Sequence, residues 1–114
     1  GLGDVYKRQI MTWKIAKKDE RYAVLDNDEL NILVPSITVL QPGKETNGHT
    51  HSDPQQEEVY VFTKGTGLMQ IEDETFAVKP GDTIPVPANK FHKVYNTDIE
   101  PLIFSAIFNG ARYE

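Results

Sequence analysis

A chain of 114 residues closes one core and is too short for two. It has no cysteine, which removes disulfide frameworks, thiolate nucleophiles, iron–sulfur clusters and cysteine-rich zinc sites and leaves nitrogen and oxygen to hold any metal. The net charge is −5 and no Lys/Arg run exceeds two residues, so nucleic acid is not an expected partner; no apolar run nears the ~20 residues of a membrane span.

Residues 1–10 stand apart. DVYKRQ at 4–9 resembles the in-frame translation of a transposon end used in preparing sequencing libraries. Residues 1–10 are therefore read as a non-native segment and 11–114 as the domain. From Met11, MTWKIAKKDERYAV has no signal-peptide core. A cytoplasmic location is expected, with secretion left open because a natural N-terminus can lie upstream.

Short strands divided by turn residues follow. RYAVLD (21–26) predicts a strand closed by Asn27 and Asp28. LNILVPSITVLQPG (30–43) is long and β-branched, with Pro35 expected to interrupt it and Pro42-Gly43 to end it. EEVYVFTK (57–64) is rich in Val, Tyr and Phe, and GTG (65–67) supplies a hairpin turn. LMQIE (68–72) and TFAVK (75–79) flank Asp73-Glu74 as a second hairpin. KPGD (79–82) has Pro before Gly, the order of a type II turn. TIPVP (83–87), FHKVYN (91–96) and PLIFSAIF (101–108) complete roughly eight strands, and no helical period appears. The pattern predicts one all-β domain, a jelly roll or barrel.

The chain has three histidines, and two of them lie in HTH at 49–51. Alternate residues of a strand share a face. His49 and His51 then converge, Glu58, Tyr60 and Phe62 share a face, and so do His92, Val94 and Asn96. Inward faces carrying His49, His51, Glu58 and His92 would gather three imidazoles and a carboxylate. That donor set suits a first-row transition metal and not calcium or magnesium.

These residues resemble the two cupin motifs. Gly43, His49, His51, Glu58 and Gly65 fill the first; Gly81, Pro87, His92 and Asn96 fit the second. All three histidines fall on family ligand positions. The resemblance implies a cupin jelly-roll β-barrel holding one metal through His49, His51 and His92, with Glu58 or Gln56 as fourth ligand. Two places depart from the pattern. Asn89 stands where the second motif has glycine, and the six residues between His51 and Glu58 make a longer gap than usual. Counted back from Gly65, Glu58 is in register; counted forward from His51, Gln55 and Gln56 take its place. A strand and hairpin hold distance better than a loop, which favours Glu58 and keeps Gln56 as the alternative.

Small cupins of this kind resemble oxidases and dioxygenases, among them compact copper cupins that oxidise polysaccharide. The resemblance implies a metal-dependent oxidoreductase using copper, iron or manganese ahead of zinc or nickel, with O₂ or peroxide as co-substrate. Its substrate would be a small molecule or a carbohydrate such as cellulose. With the histidines committed to metal, Glu58 and Tyr60 are the candidate catalytic proton carriers. The alternative is a sugar isomerase, epimerase or sugar-binding cupin using the metal as a Lewis acid. A sugar phosphate would want clustered cations. Beyond residue 10 the arginines are Arg21 and Arg112, and Lys17-Lys18 read as solvated, so no pair is evident and this reading ranks second. LNILVPSITVL and PLIFSAIF are more apolar than one barrel wall needs, so a homodimer is expected.

Overall fold

The structure, a computed structural model, describes residues 10–51, 54–110 and 112. Most of the expected non-native segment, residues 1–9, lies outside the described residues. Among the described residues there are nine strands and no helix. They are β1 (Lys14–Lys18), β2 (Tyr22–Asp26), β3 (Leu33–Leu40), β4 (Glu58–Lys64), β5 (Gly67–Ile71), β6 (Glu74–Val78), β7 (Thr83–Val86), β8 (His92–Tyr95) and β9 (Leu102–Asn109). All pairings are antiparallel, in a six-stranded sheet ordered β1-β2-β3-β9-β4-β7 and a three-stranded sheet ordered β6-β5-β8.

The two sheets enclose one core. Phe62, Leu40, Met69 and Leu102 have no exposed surface, and they come from both sheets. Burial alternates along β2, β3 and β9, as a strand with one face on a core requires. This is an all-β jelly roll.

Two strand expectations change. Pro35 does not interrupt β3; it pairs with Ile107, and its carbonyl accepts from Asn27 N at 2.9 Å. The ladder loses one donor there and keeps the acceptor, so the strand continues. Sequence reasoning also passes over β1, whose three lysines in five residues mask a strand.

The turns follow their chemistry. Gly81 has φ +95 in the Lys79–Asp82 turn, closed by Asp82 N donating to Lys79 O at 3.1 Å. Asn89, the departure from the second motif, has φ +64. Asparagine is among the few residues that enter this region readily, so the turn survives.

Residues 43–49 run beside β8 without forming a full strand. Thr46 N donates to Val94 O at 3.0 Å, and His49 and His92 exchange backbone hydrogen bonds at 3.1 and 3.0 Å. This ladder sets His49 directly opposite His92. Buried Asn96 holds the far end, donating through Nδ2 to the carbonyls of Leu40 and Glu100.

Candidate metal centre

Glu58 opens β4 between two partners, Phe108 on β9 and Val86 on β7. Its carboxylate is turned inward and its side chain is 7% exposed. His92 opens β8, His49 faces it across the bridge, and His51 follows two residues on. The ring centroids lie 4.4 Å apart for His49 and His92, 4.8 Å for His51 and His92, and 5.2 Å for His49 and His51. One ligand atom from each of His49, His51, Glu58 and His92 falls within 4.8 Å of all the others.

Hydrogen bonds orient two of the rings. His51 Nδ1 donates to Gln56 O at 3.2 Å and His92 Nδ1 to Lys90 O at 3.0 Å. That leaves each neutral ring with an Nε2 lone pair facing inward. His51 Nε2 then lies 3.1 Å and His92 Nε2 3.2 Å from the same oxygen, Glu58 Oε1. Lone pairs set against a carboxylate in a dry centre repel, so positive charge must stand between them, as added protons on the rings or as one shared cation. His92 Nε2 is buried and makes no well-directed hydrogen bond, so it is better placed as a ligand than as a donor. The residues fit a transition metal. Burial alone would raise the Glu58 carboxyl, but the close approach of the His51 and His92 rings and their charge outweigh it and hold it below the usual carboxylate range.

Gln56 is buried beside the cluster, where its main-chain carbonyl and side-chain Nε2 are engaged. Its carbonyl takes His51 Nδ1, and its Nε2 donates to Asn109 O at 2.7 Å. Asn109 was not singled out from the sequence, yet it ties down the long gap. Its Oδ1 accepts from Glu57 N at 2.7 Å and its Nδ2 donates to Gln55 O at 3.1 Å. Gln55, Gln56 and Glu57 are pinned to β9, and Glu58 stays in line with the strand. No local signal marks Asn109, since its partners lie more than fifty residues away.

Tyr60 is the next inward residue of β4. Its ring stacks on Phe104 at 5.3 Å and meets the His92 ring edge-on at 5.9 Å. Tyr95, out of phase with His92, donates instead to Gln70 Oε1 at 2.8 Å.

The four donors and Tyr60 line a cavity of about 330 Å³. Lys17 and Arg112 line the same cavity, which corrects the reading of Lys17 as plain surface and of the cations as scattered. The cause is a bulge in β1. Ile15 pairs with Leu25, the register shifts, and Lys17 pairs with Val24, whose side chain faces inward. Arg112 reaches the cavity from the C-terminal end, with Nε 2.7 Å and a terminal amino group 2.8 Å from the two carboxylate oxygens of buried Asp26. Arg21 stays at the rim, held by Asp19 and Asn47.

The class defined by this jelly roll and its three-histidine, one-carboxylate cluster is matched by family comparison. The cupin domain profile matches residues 36–108, and the chain belongs to the cupin family. It is similar to the glucose-6-phosphate isomerase of Thermococcus kodakarensis, 36% identical over 100 residues, which are 78% of this chain and 53% of that protein. The glucose-6-phosphate isomerase of Pyrococcus horikoshii is 34% identical, with 85% of this chain and 60% of that protein covered. The chain thus spans little more than half the length of the curated relatives it matches. Among solved structures, a Bacillus subtilis oxalate decarboxylase superposes with a TM-score of 0.73 and 26% identity, over 85% of this chain and 28% of that one.

Proposed function

We propose that the protein is a metal-dependent isomerase acting on a small sugar that carries an anionic group, such as a sugar phosphate, and interconverting its aldose and ketose forms. The observation that carries this reading is one cavity lined both by His49, His51, Glu58 and His92 and by Lys17 and Arg112. The isomerases of Thermococcus kodakarensis and Pyrococcus horikoshii support it. The oxidase reading rests on the donor set, which serves both chemistries equally, and on the resemblance to small cupin oxidases.

Aldose–ketose interconversion moves one hydrogen between neighbouring carbons and one between their oxygens. It is redox-neutral and needs no co-substrate. His49, His51, His92 and Glu58 would hold the metal, which when bound supplies Lewis-acid polarisation of a substrate oxygen. Gln56, the alternative fourth ligand, is tied to β9 through its side-chain Nε2 on the Asn109 carbonyl. With Glu58 given to the metal, Tyr60, the next inward residue of the same strand, would be the group that exchanges a proton with the sugar. Lys17 and Arg112 would bind the anionic end, and the apolar wall of Phe104 and Phe108 would keep water from the reacting carbons.

Protein loaded in turn with iron, manganese, zinc or copper is incubated with glucose 6-phosphate in D₂O and followed by NMR. Fructose 6-phosphate, or deuterium at the sugar C2, is the expected result, without oxygen uptake. Oxygen consumption on a glycan or phenol panel without isomerisation of any aldose would return the assignment to the oxidase class.

A further inference from the structure

We infer that Asn47 is a site of spontaneous main-chain modification: it closes on the Gly48 nitrogen to a succinimide, which opens to aspartate and isoaspartate, and the isoaspartate form loosens the metal centre. This inference does not depend on the reaction proposed above.

The chain has two Asn-Gly pairs, Asn47-Gly48 and Asn109-Gly110. Glycine has no Cβ to shield the amide nitrogen that follows the asparagine. The chemistry open to both pairs is the same. The glycine nitrogen attacks the side-chain Cγ, a new N–C bond closes a five-membered imide, and Nδ2 leaves as ammonia with the proton of the attacking nitrogen. Water then opens one of the two imide carbonyls. One opening gives aspartate; the other carries the main chain through the side-chain carbon as isoaspartate. Water is the only co-reactant.

The fold separates the two pairs. Asn109 is held at each reacting atom. Its Oδ1 accepts from Glu57 N at 2.7 Å, its Nδ2 donates to Gln55 O at 3.1 Å, and the nucleophile, Gly110 N, donates to Ile32 O at 2.8 Å. Asn47 is exposed at the cavity mouth, and among the described residues nothing accepts from its Nδ2 or from Gly48 N. Its Oδ1 accepts from Arg21, whose guanidinium is fixed on both oxygens of Asp19. Attack at Cγ places negative charge on that Oδ1, so Arg21 stands where it stabilises the tetrahedral intermediate.

The position couples this chemistry to the metal centre. Thr46 N on Val94 O and His49 N on His92 O are the bonds that set His49 opposite His92. Isoaspartate at 47 adds one main-chain carbon between them. Gly48 has no room to take up the slack, since even a Cβ there would lie 2.7 Å from the Phe91 ring. The displacement therefore passes to His49.

Wild-type protein is held in mildly alkaline buffer at physiological temperature and followed by peptide mapping and isoaspartate detection. Conversion at Asn47 is expected roughly 100-fold faster than at Asn109, where three ordinary hydrogen bonds must open first. In concentrated urea the gap should close, because both pairs then react as unfolded chain. Asn47→Gln, which keeps an amide but disfavours the ring, should remove the product. The isoaspartate fraction, separated by ion exchange, should bind metal at least ~10-fold more weakly against a chelator, as when a ligand is misoriented. Equal rates at the two sites in the folded protein, or a gap that persists in urea, overturns the inference. So does an Asn47 that stays intact while a peptide of residues 44–50 turns over, or an isoaspartate form with unchanged metal affinity.

Discussion

His51 and Glu58, seven residues apart, meet at 3.1 Å between Nε2 and Oε1. The segment between them is longer than the family pattern, and a slack loop would let the carboxylate drift. It does not drift because Asn109 takes the backbone of Gln55 and Glu57. Asn109→Ala should therefore weaken metal binding by the ~10–100-fold typical of residues that orient ligands, at about 1 kcal/mol of stability. Metal competition against a chelator, beside a denaturant melt, measures both. Unchanged affinity would mean that the loop holds itself.

Removal of the ligands separates the two registers. His49→Ala, His51→Ala and His92→Ala should each lose most of the metal while the barrel stays folded, since a core of this size does not depend on an ion. Glu58→Ala should change the metal's absorption or EPR spectrum. Gln56→Ala should leave the spectrum and instead lower stability by ~1–3 kcal/mol, because the Asn109 carbonyl loses its donor. A spectrum that changes with Gln56 and not with Glu58 would reassign the fourth ligand.

Lys17 tests the anionic end of the cavity. Lys17→Met keeps the stem and removes the charge. If a phosphate binds there, KM for glucose 6-phosphate should rise by roughly 10–100-fold, as expected when a charged hydrogen bond is lost, with little change in kcat. Activity on unphosphorylated glucose should not move. Equal losses on both sugars would place Lys17 in a structural role.

The pH response of the metal-stripped protein follows from Glu58. Its carboxyl is held below its unfolded value, so the folded chain binds that proton less readily. The contribution to stability is complete above the unfolded carboxylate value near ~4.3 and is lost as pH falls through the lower folded value. Wild-type melts should therefore drop in acid more steeply than those of Glu58→Gln. Parallel acid profiles for the two proteins would contradict this.

Asn89 offers a backbone test. At φ +64, Asn89→Gly should be within about 0.5 kcal/mol of wild type, while Asn89→Val should cost roughly 1–2 kcal/mol because a β-branched side chain is crowded there and lacks the polar group with which asparagine offsets the left-handed backbone. Urea midpoints at constant slope measure the difference. A Val variant as stable as wild type would show that the turn relaxes.

Much of this protein is legible in its sequence because the decisive signals are local. Alternation along β2, β4 and β9 follows from backbone geometry, so the all-β fold and the shared face of Glu58 and Tyr60 need only the period of two. The spacing of Gly43, His49, His51, Gly81, His92 and Asn96 likewise carries the metal reading. Other features depend on partners far along the chain. A bulge in β1 shifts the phase by one residue, which sends Lys17 into the cavity and leaves Ile15 on the outer face. Arg112 reaches Asp26 across 86 residues, and Asn109 holds a loop more than fifty residues away. Such contacts have no sequence period, because they form only once the sheets have already brought their ends together; the strands are written in the chain, and the composition of the cavity is decided by how they pair.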